Sequence, residues 1–99
     1  MSTQLQIEWE LPEDLALVES IVLYRIEDPN QNKTCDDLLA QGELLLRDST
    51  NPYTNSYVDE LDIPGFYRYG AFTEGINGDI SECTTFVYEY DNTVEVTII

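Results

Sequence analysis

Apolar and polar residues alternate along this chain in short runs, and each run ends at residues that turn the backbone. Leu5, Ile7 and Trp9 alternate with Gln6, Glu8 and Glu10, the period-two pattern of a strand with one buried face. Pro12 closes that run, because proline brings no amide proton to a ladder. EDLALVES comes next; its short length and the strand after it predict a loop rather than a helical turn. SIVLYRIED is rich in β-branched and aromatic residues and stops at Asp28-Pro29-Asn30, which predicts a second strand. Thr34 then suits a helix N-cap, with Asp36 and Asp37 in the first turn, Leu38 and Leu39 after them, and Gly42 as the stop.

Further along, ELLLRD reads as a short strand near a sheet edge, and Asn51-Pro52 as a turn. SYVDEL and FYRYGAFTEG read as two strands joined through Pro64-Gly65, and INGD is a strong turn signal. ECTTFVYEYD is the next strand, and Asp91-Asn92 turns once more. In TVEVTII, Val94, Val96 and Ile98 alternate with Thr93, Glu95 and Thr97. Short strands between turn signals, with no long helix, predict an all-β chain folded as an antiparallel β-sandwich.

The order of these features resembles a fibronectin type III domain of the bacterial and phage type. Tyr57 and Asp59, then Leu61, the Pro64-Gly65 corner, Tyr67 and Tyr69, the Asn77-Gly78 turn and Ser81 stand where the second half of such a domain carries them. Trp9 with Pro12, and Ile21, Leu23, Tyr24 and Arg25, resemble its strands B and C. The likeness spans residues 5–90. It implies an immunoglobulin-like sandwich with Trp9, Leu23, Leu61, Tyr67 and Tyr69 in the core. Tyr67 would then be the tyrosine corner, its hydroxyl bonded to upstream backbone. Tyr69 and Ala71 would continue the inward face opposite Trp9.

Two departures from that pattern bear on function. One extra residue separates Leu61 from Pro64, and the chain starts at what would be strand B, so strand A is missing. A sandwich over residues 1–92, followed by a terminal strand over 93–99, is the expected organisation. Val94, Val96 and Ile98 are then the candidate strand-pairing residues, because a bare strand B invites another strand. The terminal strand takes the place of strand A in its own sandwich, adds to a neighbouring subunit, or simply extends the strand before it.

Composition narrows the partners. The 99 residues suffice for one domain, and 42% of them are hydrophobic. Twenty acidic residues against four basic ones give a net charge of −16, which repels nucleic-acid phosphates and anionic lipid, so neither nucleic acid nor membrane is expected as a partner. The start, MSTQLQIEWELP, lacks the basic and apolar regions of a signal peptide. Cys35 and Cys83 share no CxxC spacing, and a disulfide draws no support from their separation; two reduced, buried and inert thiols are the expectation.

Candidate chemistry is sparse. There is no histidine, no glycine-rich phosphate loop and no metal-ligand spacing, so no enzyme activity, no cofactor and no metal are expected. Asp59, Glu60 and Asp62, or Asp28, Asp36 and Asp37, offer oxygens to a calcium ion, yet neither set follows a calcium-loop pattern. Arg25, Arg47, Arg68 and Lys33 are scarce enough that each is expected in a local pair with a carboxylate. The resemblance implies a non-catalytic structural or interaction module of a phage virion, made in the host cytoplasm without a signal peptide. It would be a capsid decoration or cement protein or a tail component, a homo-oligomer or bound to capsid or tail subunits. Two alternatives stand beside it. One is an adhesion or carbohydrate-binding module with Tyr53, Phe72, Phe86, Tyr88 and Tyr90 as ligand-facing rings. The other is an acidic mimic that occupies a basic site on a partner.

Overall fold

The computed structural model describes residues 3–81 and 83–91. Within them the chain runs through β1 (Thr3–Glu8), β2 (Val18–Glu27), α1 (Cys35–Gln41), β3 (Glu43–Asp48), β4 (Ser56–Leu61), β5 (Gly65–Gly75) and β6 (Thr84–Tyr90). The alternating runs among the described residues form strands, and residues 13–17 lie in a loop, whereas Val18 and Glu19, expected in that loop, already belong to β2. Residues 93–99, with the candidate pairing residues Val94, Val96 and Ile98, lie outside the described residues.

All described pairings are antiparallel. β1 and β4 make a two-stranded sheet, and β3, β2, β5 and β6 make a four-stranded sheet in that order. Their apolar faces meet in a sandwich-like core. Ile7 and Leu61 come from the smaller sheet, and Leu23, Tyr67, Tyr69 and Tyr90 from the larger, all buried. Trp9 is half-buried and packs against this cluster with Leu5, Tyr57 and Ala71. At the corner between β4 and β5, Gly65 takes a φ of +154° that a side chain would resist. Two residues on, the Tyr67 hydroxyl donates to the carbonyl of Ile63. That bond satisfies a buried phenol and fixes how β5 enters the sheet.

The outer face of the larger sheet is covered as well. Val22 and Phe72 turn outward from β2 and β5, and Leu38 of α1 lies on them with no exposure at all. Seven residues cannot hold a helix in water unaided, so the ends and the packing must do it. Thr34 accepts from the Asp37 amide while the Asp37 carboxylate accepts from the Thr34 amide at 2.8 Å, a reciprocal cap. Gly70 makes the seat: a Cβ there would stand 2.6 Å from Cδ1 of Leu38.

Beside that seat the structure corrects the expectation of two reduced thiols. Cys35 and Cys83 form a disulfide, with Cα atoms 5.9 Å apart, and no cysteine is free. The fold brings the pair together because α1 returns over the sheet, a long-range fact that spacing along the chain does not carry. Closing a separation of 48 residues restricts the unfolded chain by ~4 kcal/mol in the loop-entropy picture. Alkylation of the folded protein should therefore add no mass until a reductant is present. Replacing both cysteines with serine should lower stability in urea by ~2–4 kcal/mol. Two thiols that alkylate readily without reductant would contradict the bond.

Candidate functional site

Charged groups inside the sandwich set the geometry of the site above them. Tyr57, Asp59 and Leu61 alternate onto the inner face of β4, so Asp59 is carried into the core at 5% exposure. A buried carboxylate must be paired. Arg25 of β2 donates to both of its oxygens, at 2.9 and 2.7 Å, and the Tyr69 hydroxyl of β5 donates at 2.6 Å. Burial, then the bond to Asp59, push the Tyr69 phenol well above its ordinary pKa, so it stays a donor.

The other arginines are committed too. Arg68 donates to Asp28 at 2.8 Å, and Asp28, with no exposure, also accepts from the amides of Asn32 and Lys33. Arg47 binds Glu74 at 2.9 Å. These partners lie 27 to 40 residues away in sequence, so the pairs are tertiary ties rather than the local ones expected. Of the six carboxylates weighed as calcium ligands, three are engaged elsewhere: Asp59 and Asp28 face arginine and Asp37 caps α1. Among the described residues no group of three or more acidic or cysteine residues is gathered as a metal site.

The aromatic candidates also part company. Phe72 and Tyr90 are buried, at 2% and 5% exposure. Tyr53 donates its hydroxyl to the Val18 carbonyl, and Tyr88 packs against the core. Phe86 is different: it is 41% exposed on the inner face of β6, its ring stacked on Tyr69 at 5.2 Å. Its ring lies beside residues of both sheets along a cleft.

Strands in a sheet lie ~4.8 Å apart, so two strands cover about half the width of four. The strip that β1 and β4 leave uncovered among the described residues is a cleft of about 950 Å³. Ile7, Trp9 and Pro12 form one wall, Ile21, Ala71 and Phe86 the other, and Glu8, Glu10 and Glu13 stand among its lining residues. The indole nitrogen of Trp9 is buried there with no acceptor among the described residues, an unusual state for a donor removed from water.

The edge of β1 borders this cleft. The Trp9 amide donates to the Asn55 carbonyl at 3.1 Å, and the register holds from Thr3↔Leu61 to Glu8↔Ser56. In an antiparallel ladder bonded pairs recur every second residue. Thr3, Leu5, Ile7 and Trp9 thus turn their backbone groups to β4, and Gln4, Gln6 and Glu8 turn theirs away. Among the described residues no strand pairs with that side. Of the predicted core residues, Leu23, Leu61, Tyr67 and Tyr69 lie together between the sheets and Trp9 lies at the cleft. Sequence reasoning missed Ile7, Ala71 and Phe86 as cleft walls. The alternation of Phe86, Tyr88 and Tyr90 places all three on one face, yet it does not tell which of them a second sheet will cover. Compared with protein-family models, with curated proteins and with solved structures, the chain matches none.

Burial would raise the Asp28 carboxyl, but the Arg68 hydrogen bond, the two amides and the Arg68 charge hold it below the usual range. A depressed folded pKa contributes stability that is present above the unfolded value of about 3.9. It is lost as pH falls through the folded value. Asp28→Asn should therefore cost ~3 kcal/mol at neutral pH by leaving Arg68 unpaired. In urea melts its deficit against the parent protein should narrow below about pH 3.9. A deficit that holds constant down to about pH 2 would assign the cost elsewhere.

Proposed function

We propose that this chain is a non-catalytic structural and interaction module of fibronectin type III-like build, which assembles by accepting a strand at the edge of β1. The cleft beside that edge carries the reading. It has the apolar walls a strand's side chains need, a row of outward backbone groups for its ladder, and an indole donor with no acceptor among the described residues. Strand addition of this kind draws affinity from main-chain bonds and specificity from alternate side chains. The likeness in Tyr57, Asp59, Leu61, Pro64-Gly65, Tyr67 and Tyr69 supports the finer assignment. So does a two-plus-four strand arrangement in which one place beside β1 stays unfilled among the described residues.

The setting we propose is a bacteriophage particle, as capsid decoration or cement or as a tail component, with other copies or capsid and tail subunits as partners. A net charge of −16, with every arginine already bound to a carboxylate, disfavours nucleic acid and anionic membrane. The same charge favours a second reading, an acidic mimic seated on a basic partner. Salt separates the two, since such a complex weakens steeply with ionic strength and an apolar strand contact between like-charged copies does not.

The experiment is solution mass by light scattering at low and high salt, for the chain and for Gln6→Pro. The Gln6 amide faces away from β4, so proline there spares the β1–β4 ladder and removes a donor that an added strand needs. The reading predicts an assembly that persists in high salt and falls to a folded monomer with Gln6→Pro. A chain that is monomeric in all salts, or a Gln6→Pro variant of unchanged mass, overturns it.

A further inference from the structure

We infer that the strand accepted at β1 is residues 93–99 of a second copy of this chain, with Val94, Val96 and Ile98 seated in the cleft. The inference rests on the reading of β1 as an acceptor edge and names the donor. Three features of the cleft select it. Apolar lining residues recur along the span from Ile7 to Pro12, at Ile7, Trp9, Leu11 and Pro12, and three alternating side chains over ~13 Å match such a span. Glu8, Glu10 and Glu13 lie along it, so an entering face must carry no acid; the face formed by Val94, Val96 and Ile98 carries none. The buried Trp9 indole N–H has no acceptor among the described residues, and a carbonyl of the entering strand supplies one.

The choice between the chain's own segment and a neighbour's is decided by where the chain leaves the sheet. β6 runs away from the cleft and ends at Tyr90, which stands opposite Gly65 at the start of β5. Tyr90 and Tyr88 fill the space between the sheets at that end, with Leu61 and Tyr67, and none of the four lines the cleft. A segment tethered at Asp91 that turned back at once would climb ~3.3 Å per residue along β6. Val94 and Val96 would fall short of Phe86, at the level the two tyrosines already occupy, and Ile98 alone would reach the cleft. That path also runs parallel to β1, because β1 begins at the same end, where Thr3 pairs with Leu61. A second copy has no such tether. Its segment can bring all three side chains in and can run antiparallel, the better-bonded ladder.

The test uses the full chain, the chain ended at Asn92, and Val96→Asp in the full chain, each measured by sedimentation equilibrium over a hundredfold range of concentration. The probe is a synthetic peptide of residues 92–99. Self-association of the full chain is expected, with monomers for the chain ended at Asn92 and at least a tenfold weaker association for Val96→Asp. The peptide should bind the shortened chain, shift Trp9 fluorescence and dissociate the full-chain assembly. If the shortened chain still associates through the β1 edge, the donor is wrong while the acceptor reading stands. If the full chain is monomeric and Val96→Asp lowers its melting temperature, the segment serves its own subunit and the inference is overturned. A monomeric full chain together with a peptide that leaves Trp9 unchanged removes both.

Discussion

One buried carboxylate sets how the two sheets of this protein meet. Asp59 rides on the inner face of β4, and the only described groups that compensate it come from the opposite sheet: Arg25 on β2 and the Tyr69 hydroxyl on β5. Apolar faces alone would let a two-stranded sheet slide over a four-stranded one at little cost, since burial is non-directional. A charged hydrogen-bond pair does not slide. Removing one partner from such a pair leaves an uncompensated charge in the core, at a cost of ~3–5 kcal/mol. The corner at Gly65 and Tyr67 then holds β5 in step with β4.

That alignment makes the sandwich asymmetric. The smaller sheet is fixed over part of the larger one, and the remainder of the inner face, with Phe86 on it, is left as a cleft beside β1. The outer face of the larger sheet shows the contrast. There α1, Leu38 and the Cys35–Cys83 bond cover Val22 and Phe72 completely. One face is finished within the described residues and the other is not. A strand placed in the unfinished position would use the same physics that closed the rest: alternate apolar side chains inward and main-chain bonds along an edge.

Much of the fold was legible in the sequence because strands and caps are local. The alternation at Leu5, Ile7 and Trp9, the Thr34 and Gly42 ends of α1 and the Asn77-Gly78 turn each announce themselves within a few residues. The ties that organise the sandwich are not local. Nothing near Cys35 points to Cys83, and nothing near Asp28 points to Arg68. Asp59 shows what alternation adds to composition: grouped with Glu60 and Asp62 it is one more acidic oxygen donor, whereas alternation puts Asp59 inward and its neighbours outward. The cleft was the least legible feature of all, since it arises from unequal sheet widths rather than from any residue. Phe86, read from the sequence as a candidate ligand-facing ring, lies in the lining of that cleft.

Hydrogen exchange at three backbone amides tests the central claim most directly. Gln4, Gln6 and Glu8 turn their N–H groups away from β4, while Leu5 and Ile7 give theirs to it. In the assembled protein the account predicts that all five exchange slowly, and that dilution to monomers releases Gln4, Gln6 and Glu8 while Leu5 and Ile7 stay protected. If the three outward amides exchange fast at every concentration, no strand lies against β1 and the account of this edge is wrong.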